Sequence, residues 1–360
     1  MFRIHMLPAH HGDCLWVEFG KEDDPKFILV DGGTMGTWPD LKAKLMKEKQ
    51  RFGEKLHIEL FVVTHVDADH IGGALKLLGQ LGPLGISFGD VWFNGYRHLD
   101  NQRMPPPDDV LGGKQGEQLS ALIDDAGLNW NQAFDRRAVM VPDAGPLPTF
   151  DVGGMTLTLL SPTFKKLQLL KPVWEKEVRK AGLVPGEAYE VVQVKNDRDI
   201  LGDKTVEQLA NTPFKSDTSE ANGSSIAFLA EYEGKQVFFG ADSNADVVYQ
   251  NLKRGPLEGK DVLEIAAFKV AHHGSKGNTN ERLVKALPSR HYLVSTNGDQ
   301  FDHPDAEAVA RIVVHGPVGK RLHFNYKTQF NSDWYSASRR SGWHYSTAYG
   351  KDSDGLTVDL

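Results

Sequence analysis

The chain has 360 residues, of which 40% are hydrophobic and 25% charged, a composition typical of a globular protein with a sizeable core. The net charge of −7 argues against the strongly basic surface of a tight duplex binder, although a local basic groove is compatible with it. Cys14 is the only cysteine, which excludes a disulfide framework and a thiolate metal site.

The first half of the chain predicts strands separated by polar turns. Short apolar or alternating runs predict six strands, at 14–20, 26–33, 58–65, 90–94, 138–141 and 155–160. Apolar residues at helical spacing predict helices at 40–52 and 71–81. Each helix follows a predicted strand, which favours a layered α/β protein.

Residues 162–221 differ in composition from the rest of the chain. They begin with an amphipathic helix that Pro172 interrupts, and they continue as a charged, polar stretch with little strand signal. We interpret this stretch as a helical and irregular insertion in one domain, rather than as a second domain. Its surface is a candidate contact for a protein partner.

Regular alternation returns after the insertion. A hairpin is predicted at 224–242, with its turn at Glu233-Gly234. Later elements are predicted as strands at 262–275, 291–298 and 322–326, a helix at 305–313 and a closing hairpin at 344–360. We therefore predict one domain over residues 1–360 that ends in strands within 320–360. Two packed sheets with helices outside them are the expected arrangement.

Membrane and secretion signals are not evident in the sequence. The N-terminal residues lack the long apolar segment of a signal peptide, and no run approaches the roughly 18 apolar residues of a membrane helix. With a single cysteine, these features favour a reducing cytoplasmic location without membrane association. Nothing in the composition predicts an oligomeric state.

The segment HVDADH, residues 65–70, concentrates metal-ligand residue types at the end of a buried strand. Alternate residues of a strand share one face, so His65, Asp67 and Asp69 can converge, and His70 can join them at the turn. A polar strand end, with Asp69 as the cap of the next helix, is the alternative. Four imidazoles or carboxylates within six positions favour a metal site.

Three later segments repeat this form, in which a buried strand stops and a ligand-type residue follows. They deliver Asp242, the pair His272 and His273, and His303. Each has an ordinary interpretation alone, as a helix cap, a packed polar residue or a loop residue. Because strand ends gather on one edge of a layered α/β fold, the set together predicts a metal site there.

The ordered motifs resemble the metallo-β-lactamase superfamily, and within it the hydrolase domain of competence DNA-uptake channel proteins and their soluble relatives. The motifs that carry the resemblance are Gly12-Asp13, Asp31 in LVDGG, THVDADHIGG, Asn222 to Ser225, HHGS from His272, and His303-Pro304. The resemblance implies a four-layer αββα sandwich and a metal-dependent hydrolase with one or two divalent ions. Zn²⁺ or Mn²⁺ is expected, and Mg²⁺ is compatible.

Two departures from the superfamily pattern affect the expected ligands. Asp67 replaces the usual second histidine, and no histidine stands near Asn222, where a third ligand of the first metal is usual. The resemblance implies a first site of His65, Asp67, Asp242 and one of His272 or His273, and a second site of Asp69, His70, Asp242 and His303. The extra carboxylate favours Mn²⁺ or Mg²⁺ relative to a three-histidine zinc site.

The remaining motif residues are candidates for catalysis and substrate contact. Asp69, His272 and His273 form the predicted catalytic set. His273 is the candidate proton donor and His272 the candidate ligand, with the reverse assignment equally open. Ser275 and Asn222 are predicted to contact substrate, whereas Lys276 is better interpreted as a solvated loop lysine. Asp13 and Asp31 are predicted to support the site.

Three functions fit these residues. The first is hydrolysis of phosphodiester bonds in a nucleic acid or nucleotide by a metal-activated hydroxide, favoured by the subfamily resemblance and the carboxylate-rich ligands. The second is hydrolysis of a lactone, amide or thioester. The third is an inactive, metal-bound sensor or interaction module, which the complete ligand set makes less favourable.

Overall fold

The computed structural model describes residues 1–53, 55–100, 115–180, 204–351 and 353–360. Its strands are β1 (Phe2–Met6), β2 (Leu15–Gly20), β3 (Pro25–Val30), β4 (Leu56–Val62), β5 (Ile86–Trp92), β6 (Thr149–Val152), β7 (Met155–Ser161), β8 (Ala227–Tyr232), β9 (Lys235–Phe239), β10 (Ile265–Lys269), β11 (Ser289–Val294), β12 (Arg321–Phe324), β13 (Ser346–Tyr349) and β14 (Leu356–Asp359).

The α-helices are α1 (Trp38–Phe52), α2 (Ala68–Leu78), α3 (Leu81–Leu84), α4 (Gln115–Asp125), α5 (Phe164–Lys180), α6 (Val206–Ala210), α7 (Glu220–Gly223), α8 (Ala245–Lys253), α9 (Glu281–Ala286), α10 (Ala306–His315) and α11 (Ala337–Gly342). Short 3₁₀ turns lie at Met35–Thr37, Tyr96–Asp100, Gln132–Phe134, Ala271–Gly274 and Ser332–Tyr335. No helix among the described residues is long and apolar enough to cross a membrane.

The strands form two sheets. The first sheet has the order β14-β1-β2-β3-β4-β5, and the second has the order β13-β12-β11-β10-β9-β8-β7-β6. In the first sheet, β3, β4 and β5 run parallel to one another, and the other pairs are antiparallel. In the second sheet, the strands from β9 to β13 are parallel, and β6 to β9 are antiparallel.

The two sheets pack face to face around a common apolar core. Ile4, Val17 and Val30 of the first sheet belong to the same buried cluster as Leu157 and Phe238 of the second. In β2 the alternate side chain, Trp16, points the other way and joins a second cluster with residues of α1 and α2. Residues of α8, α9 and α10 cover the outer face of the second sheet. The predicted four-layer αββα sandwich is therefore confirmed.

The hairpin predicted at 224–242 is confirmed as β8 and β9, with its turn at Glu233-Gly234. The closing hairpin predicted at 344–360 is wrong, because its two strands join different sheets. β13 lies parallel to β12, whereas β14 lies antiparallel to β1. The connection passes Gly355 at a φ of +63°, where a Cβ atom would lie 2.0 Å from the carbonyl oxygen of Met6. This close approach lets the chain cross from one sheet to the other.

The strand predicted at 138–141 is also wrong. The segment is buried, but its backbone pairs mainly with a side chain: Val139 N–H donates to Asn94 Oδ1 (2.8 Å), and Asn94 Nδ2 donates to Val139 O (2.9 Å). A single bridge joins Val141 to Thr163. The apolar run therefore reflects burial, and the amide of Asn94 takes the place of a neighbouring strand.

The predicted insertion, 162–221, begins with a helix that packs on the body of the protein. Helix α5 continues through Pro172, and its buried side chains Leu167, Leu170 and Trp174 join the outer cluster of the first sheet. Residues 181–203 of this stretch lie outside the described residues. Residues 204–221 include α6 and return the chain to the metal-ligand edge at Asp217.

Candidate metal centre

The sheet topology brings the predicted ligands to one edge. β3 and β4 are parallel neighbours in the first sheet, and β9, β10 and β11 are parallel neighbours in the second. Parallel strands end at the same edge, so the residues that follow them meet. Those residues are Asp31 after β3, His65 after β4, Asp242 after β9, His272 and His273 after β10, and Ser295 after β11. Asp69 and His70 enter from the first turn of α2.

Asp242 is the hub of this cluster. The Nε2 atoms of four histidines lie within 3.8 Å of its carboxylate oxygens, at 3.8 Å for His65, 3.4 Å for His70, 3.7 Å for His272 and 3.8 Å for His273. The carboxylate is buried, and its Oδ1 has no hydrogen-bond donor among the described residues. An aspartate that faces four imidazole nitrogens is placed to bridge two metal-binding positions.

Two other aspartates define the sides of the cluster. Asp67 Oδ2 lies 3.5 Å from His65 Nε2, and the Asp67 side chain is 42% exposed. On the other side, Asp69 Oδ2 lies 3.3 Å from His273 Nε2 and 4.0 Å from His70 Nε2. The cluster therefore has one position beside His65 and Asp67 and a second beside Asp69, His70 and His273, with Asp242 between them.

Hydrogen bonds from the first sheet orient His65 and His70. Asp31 Oδ2 accepts from His70 Nδ1 (2.8 Å) and from Thr64 Oγ1 (2.8 Å). Because the Thr64 hydroxyl donates its proton to Asp31, its oxygen accepts from His65 Nδ1 (3.1 Å). Both imidazoles therefore hold a proton on Nδ1, and Nε2 is the nitrogen that each turns toward the centre.

The second sheet holds its two histidines in the same way. His272 Nδ1 donates to Asn278 Oδ1 (2.9 Å), and the Asn278 amide is oriented because its Nδ2 donates to the backbone carbonyl of Asp242 (2.9 Å). His273 Nδ1 donates to the backbone carbonyl of Ser295 (2.9 Å). Four imidazoles are thus fixed through Nδ1 so that four Nε2 atoms point inward, as metal-binding histidines require.

The donor atoms fit a divalent metal ion. His65 Nε2 is buried without a hydrogen-bond partner among the described residues, and His70 Nε2 lies 3.2 Å from His273 Nε2. Two nitrogens bound at about 2.0–2.1 Å to one tetrahedral ion lie roughly 3.3 Å apart. Facing lone pairs at this separation repel each other unless a cation or proton lies between them. The residues therefore suit a metal ion, and the cluster is not an ordinary part of the packed apolar core.

The carboxylates of the cluster favour the protonated, positively charged form of the imidazoles. Burial opposes protonation, but Asp242 and the hydrogen bond with Asp217 raise the pKa of His272 to about 9. Burial likewise opposes protonation of His273, but Asp242 and Asp13 raise its pKa to about 10. The pKa of Asp242 is held well below its usual range, since the charges of His70, His272 and His273 outweigh its burial. A divalent ion would displace these protons, so binding it releases protons.

His303 lies outside the cluster that surrounds Asp242. Its ring centroid is 5.3 Å from that of His272, and its Nδ1 lies 3.7 Å from Asp305 Oδ2. The structure thus brings His273, and not His303, to Asp69 and His70. Burial and the charges of His272 and His273 lower the pKa of His303 well below its usual value, so its imidazole is neutral.

The predicted substrate-contact residues are placed behind the centre or at its margin. Asn222 Nδ2 donates to Asp217 Oδ2 (2.6 Å), and that oxygen lies 3.4 Å from His272 Nδ1, so Asn222 supports the histidine through Asp217. Ser275 is buried, and its Oγ accepts from Gly277 N–H (3.3 Å). Lys276 Nζ lies on the surface, 3.6 Å from Asp305 Oδ1.

A buried ion pair that the sequence analysis missed lies beneath the centre. Lys269 Nζ donates to Asp13 Oδ2 (2.7 Å), and both side chains are almost fully buried. Asp13 Oδ1 is 3.5 Å from His273 Nδ1, and Asp13 N–H donates to the carbonyl of Asp69 (3.2 Å). Lys269 ends β10 of the second sheet and Asp13 lies just before β2 of the first, so the pair joins the two halves of the site. A lysine inside the apolar run AAFKVA was the available signal.

The backbone at this edge adopts conformations that are rare for residues other than glycine. Asp31 has a φ of 59°, Ala241 of 44°, His272 of 47° and His273 of 53°. Each costs conformational energy, which the surrounding hydrogen bonds and packing must offset. Such positions concentrate at functional sites, and here they aim the ligand side chains at Asp242.

Residues 7–157 match the family model described as the Metallo-beta-lactamase superfamily. No curated protein matches the chain. For residues 7–157 the superfamily predicted from the motifs is thereby confirmed, whereas the likeness to DNA-uptake channel hydrolases stays a prediction.

Three solved structures match the chain at low sequence identity. Zn²⁺-bound PqqB from Methylobacterium extorquens is 10% identical with a TM-score of 0.38, and the match covers 100% of each chain. A diphosphatase of the PhnP family is 10% identical with a TM-score of 0.36, covering 99% of this chain and 98% of that one. A variant of the β-hydroxylase CmlA is 14% identical with a TM-score of 0.41, covering 99% of this chain and 54% of that one.

Proposed function

We propose that the substrates of this protein are phosphodiesters. The proposal starts from two findings: residues 7–157 belong to the metallo-β-lactamase superfamily, and the chain is a metal-dependent hydrolase of this fold. The phosphodiester is that of a nucleotide or a nucleic acid. The single observation that carries the proposal is that three carboxylates stand among the four imidazoles of the centre, with Asp242 in the middle. Asp67 and Asp69 add carboxylates on its two sides, 3.5 Å from His65 and 3.3 Å from His273.

Carboxylate donors favour hard ions such as Mn²⁺ and Mg²⁺, which are also the usual partners of phosphoryl oxygens. A bound divalent ion supplies a water of lowered pKa and positive charge that stabilises the transition state of phosphoryl transfer. His65, Asp67, Asp242 and the Nε2 of His272 would hold an ion at the first position. Asp69, His70, His273 and Asp242 would hold one at the second.

The remaining residues orient this set and contact the substrate. Asp31 and Asn278 fix the imidazoles, so little reorganisation is needed when a substrate arrives. His303 is the imidazole that stays outside the ligand cluster, and as a neutral group it can donate a hydrogen bond to a phosphoryl oxygen. His303 thus takes a substrate-contact role in this proposal, and His273 a ligand role.

Turnover on matched substrates tests the proposal. Purified protein loaded with Mn²⁺ or Zn²⁺ is incubated with bis(p-nitrophenyl) phosphate, single-stranded DNA and cyclic dinucleotides, beside a lactone and a thioester. We expect metal-dependent cleavage of at least one phosphodiester and its loss in Asp69→Ala. Asp261→Ala, at a fully exposed acidic residue far from the centre, serves as the control. Cleavage of the lactone or thioester alone would reject the phosphodiester assignment.

One observation favours the second candidate, a carbonyl hydrolase. An apolar cleft of 230 Å³ opens beside Asp67, and its described walls include Leu170, Val173, Trp174 and Gly116. Such a wall suits the acyl chain of a lactone or thioester better than a polyanion. A Val173→Asp variant would weaken acyl substrates specifically, because it places a charge in the cleft and leaves the metal donors unchanged. Equal activity of this variant on acyl and phosphodiester substrates would remove the cleft as an argument.

A further inference from the structure

Phe301 is a large apolar side chain that stays exposed at the mouth of the metal centre. It is 45% exposed and lies in the loop after β11, two residues before His303. Its ring centroid is 6.2 Å from that of His303, which in turn packs against His272. Rings therefore lead from the ligand cluster out to the surface, and Phe301 is the outermost of them.

His11 forms the opposite wall of this mouth. Its ring packs edge-to-face with Phe301 at a centroid distance of 5.9 Å. The next residue, Gly12, lies against Asp69: a Cβ atom on Gly12 would lie 1.8 Å from the carbonyl oxygen of Asp69, and Asp13 N–H donates to that carbonyl (3.2 Å). The pair therefore stands directly beside the side of the centre that contains Asp69.

Hydrogen bonds hold the two loops that carry the pair. Asn297 N–H donates to the carbonyl of His10 (2.8 Å), and Ser295 Oγ donates to the carbonyl of Gly12 (2.8 Å). The loop after β11 closes on itself where Asp302 N–H donates to the carbonyl of Gly298 (3.1 Å). Phe301 is thus exposed although the loop that carries it is held in place by hydrogen bonds.

The surroundings of Phe301 indicate the kind of group that it contacts. The adjoining groove, of 570 Å³, is lined mainly by polar residues, including His10, Asp40, Asn297, Asp299 and Lys327. A long acyl chain would gain little from such a groove, whereas a planar heterocycle can stack on one ring and hydrogen-bond along its edge. The apolar cleft beside Asp67 is a separate feature.

We propose that Phe301, backed by His11, is a stacking site for the nucleobase of a nucleotide whose phosphate lies at the metal centre. This inference rests on the proposed function and deepens it, because it assigns the substrate class to nucleotides. Every base can stack on an aromatic ring, so the site favours substrates that carry a base but does not distinguish one base from another.

Binding measurements test the stacking site without relying on turnover. The affinities of thymidine 5′-monophosphate and of inorganic phosphate are measured by calorimetry on the Mn²⁺-loaded protein. We expect Phe301→Ala to weaken thymidine 5′-monophosphate by roughly 5- to 150-fold, the range for one stacked base, and to leave phosphate unchanged. Phe301→Tyr should retain the affinity, and Phe301→Leu should lose it. Val262→Ala is the control. Val262 is an exposed apolar residue that precedes the first residue of β10, whereas the metal ligands follow the last.

Activity separates this inference from the proposed function. Thymidine 5′-(p-nitrophenyl phosphate) and methyl p-nitrophenyl phosphate share the scissile bond, and the second lacks the nucleoside. Loss of kcat/KM in Phe301→Ala on the thymidine ester alone supports the stacking site. An equal effect on both esters, or equal binding of thymidine 5′-monophosphate by Phe301→Ala and the native protein, overturns it while phosphodiester hydrolysis stands. Base-dependent binding without hydrolysis of either ester keeps the stacking site and rejects the proposed function.

Discussion

The two sheets contribute to the metal centre in different ways. The first sheet supplies His65, Asp67, Asp69 and His70 from six consecutive positions, and one side chain, Asp31, orients both histidines. The second sheet supplies Asp242, His272 and His273 from separate strands, oriented by separate partners. A local motif can thus build half of a site, whereas the other half depends on strand order, strained backbone and a buried ion pair between the sheets.

Removal of the shared residue has the largest expected effect. Asp242→Ala deletes the carboxylate that faces all four imidazoles, so both positions of the centre should lose metal. We expect the metal content, measured by elemental analysis, to fall to background and kcat/KM to fall by roughly 1,000-fold or more. Asp246→Ala, in the first turn of α8, is a nearby acidic control. Retention of one bound ion per chain would show that the first-sheet motif binds metal alone.

Loss of the ion pair between the sheets has the second largest expected effect. Lys269→Met leaves the Asp13 carboxylate buried without its partner, and we expect a loss of about 3–5 kcal/mol in the free energy of unfolding. Urea denaturation measures this loss. In the double variant Lys269→Met with Asp13→Asn no unpaired charge remains, so most of the stability should return. Equal stability of the single and double variants would contradict the account of the pair.

Orienting residues from the two sheets should have similar, smaller effects. Asp31→Asn keeps the left-handed backbone of this position but removes the charge that holds His70. Asp217→Asn removes the corresponding charge behind His272. Loss of such partners weakens metal affinity by roughly 10- to 100-fold. Competition with a chelator measures each affinity. A loss confined to Asp31→Asn would show that the first sheet alone sets the affinity.

The smallest expected effect concerns acid sensitivity away from the centre. Burial lowers the pKa of His98, beside the first sheet, and of His323, in the second, to about 3 in each case. Between pH 6.5 and 3 the unfolded chain binds a proton that each native histidine does not bind, so stability falls as the pH falls. Each group contributes a slope of about 1.4 kcal/mol per pH unit near pH 5.

Urea titrations between pH 4.5 and 7.5 measure this slope for His98→Phe and His323→Phe beside the native protein. Each variant should lose the contribution of one proton to the slope. An unchanged slope in either variant would contradict the buried, neutral state of that histidine.

Much of the fold and half of the site could be predicted from local patterns. Two packed sheets with helices outside them, the hairpin at Glu233-Gly234 and the cluster at residues 65–70 all follow from periodicity and spacing that adjacent residues carry. The four-layer αββα order was implied by the family resemblance. The strand at 138–141 failed because an apolar run reports burial and does not report what pairs with its backbone. The closing hairpin failed because two adjacent strands joined different sheets.

Within the site, the sequence by itself determined which residue types are available and that four strand ends supply them. Only the tertiary structure decided that His273, rather than His303, faces Asp69, that Asn222 supports His272, and that Lys269 pairs with Asp13. The physical reason is one of distance along the chain. Residues of one motif are placed by a single strand and turn, whereas residues more than 200 positions apart are placed only when both sheets pack and their buried charges find partners.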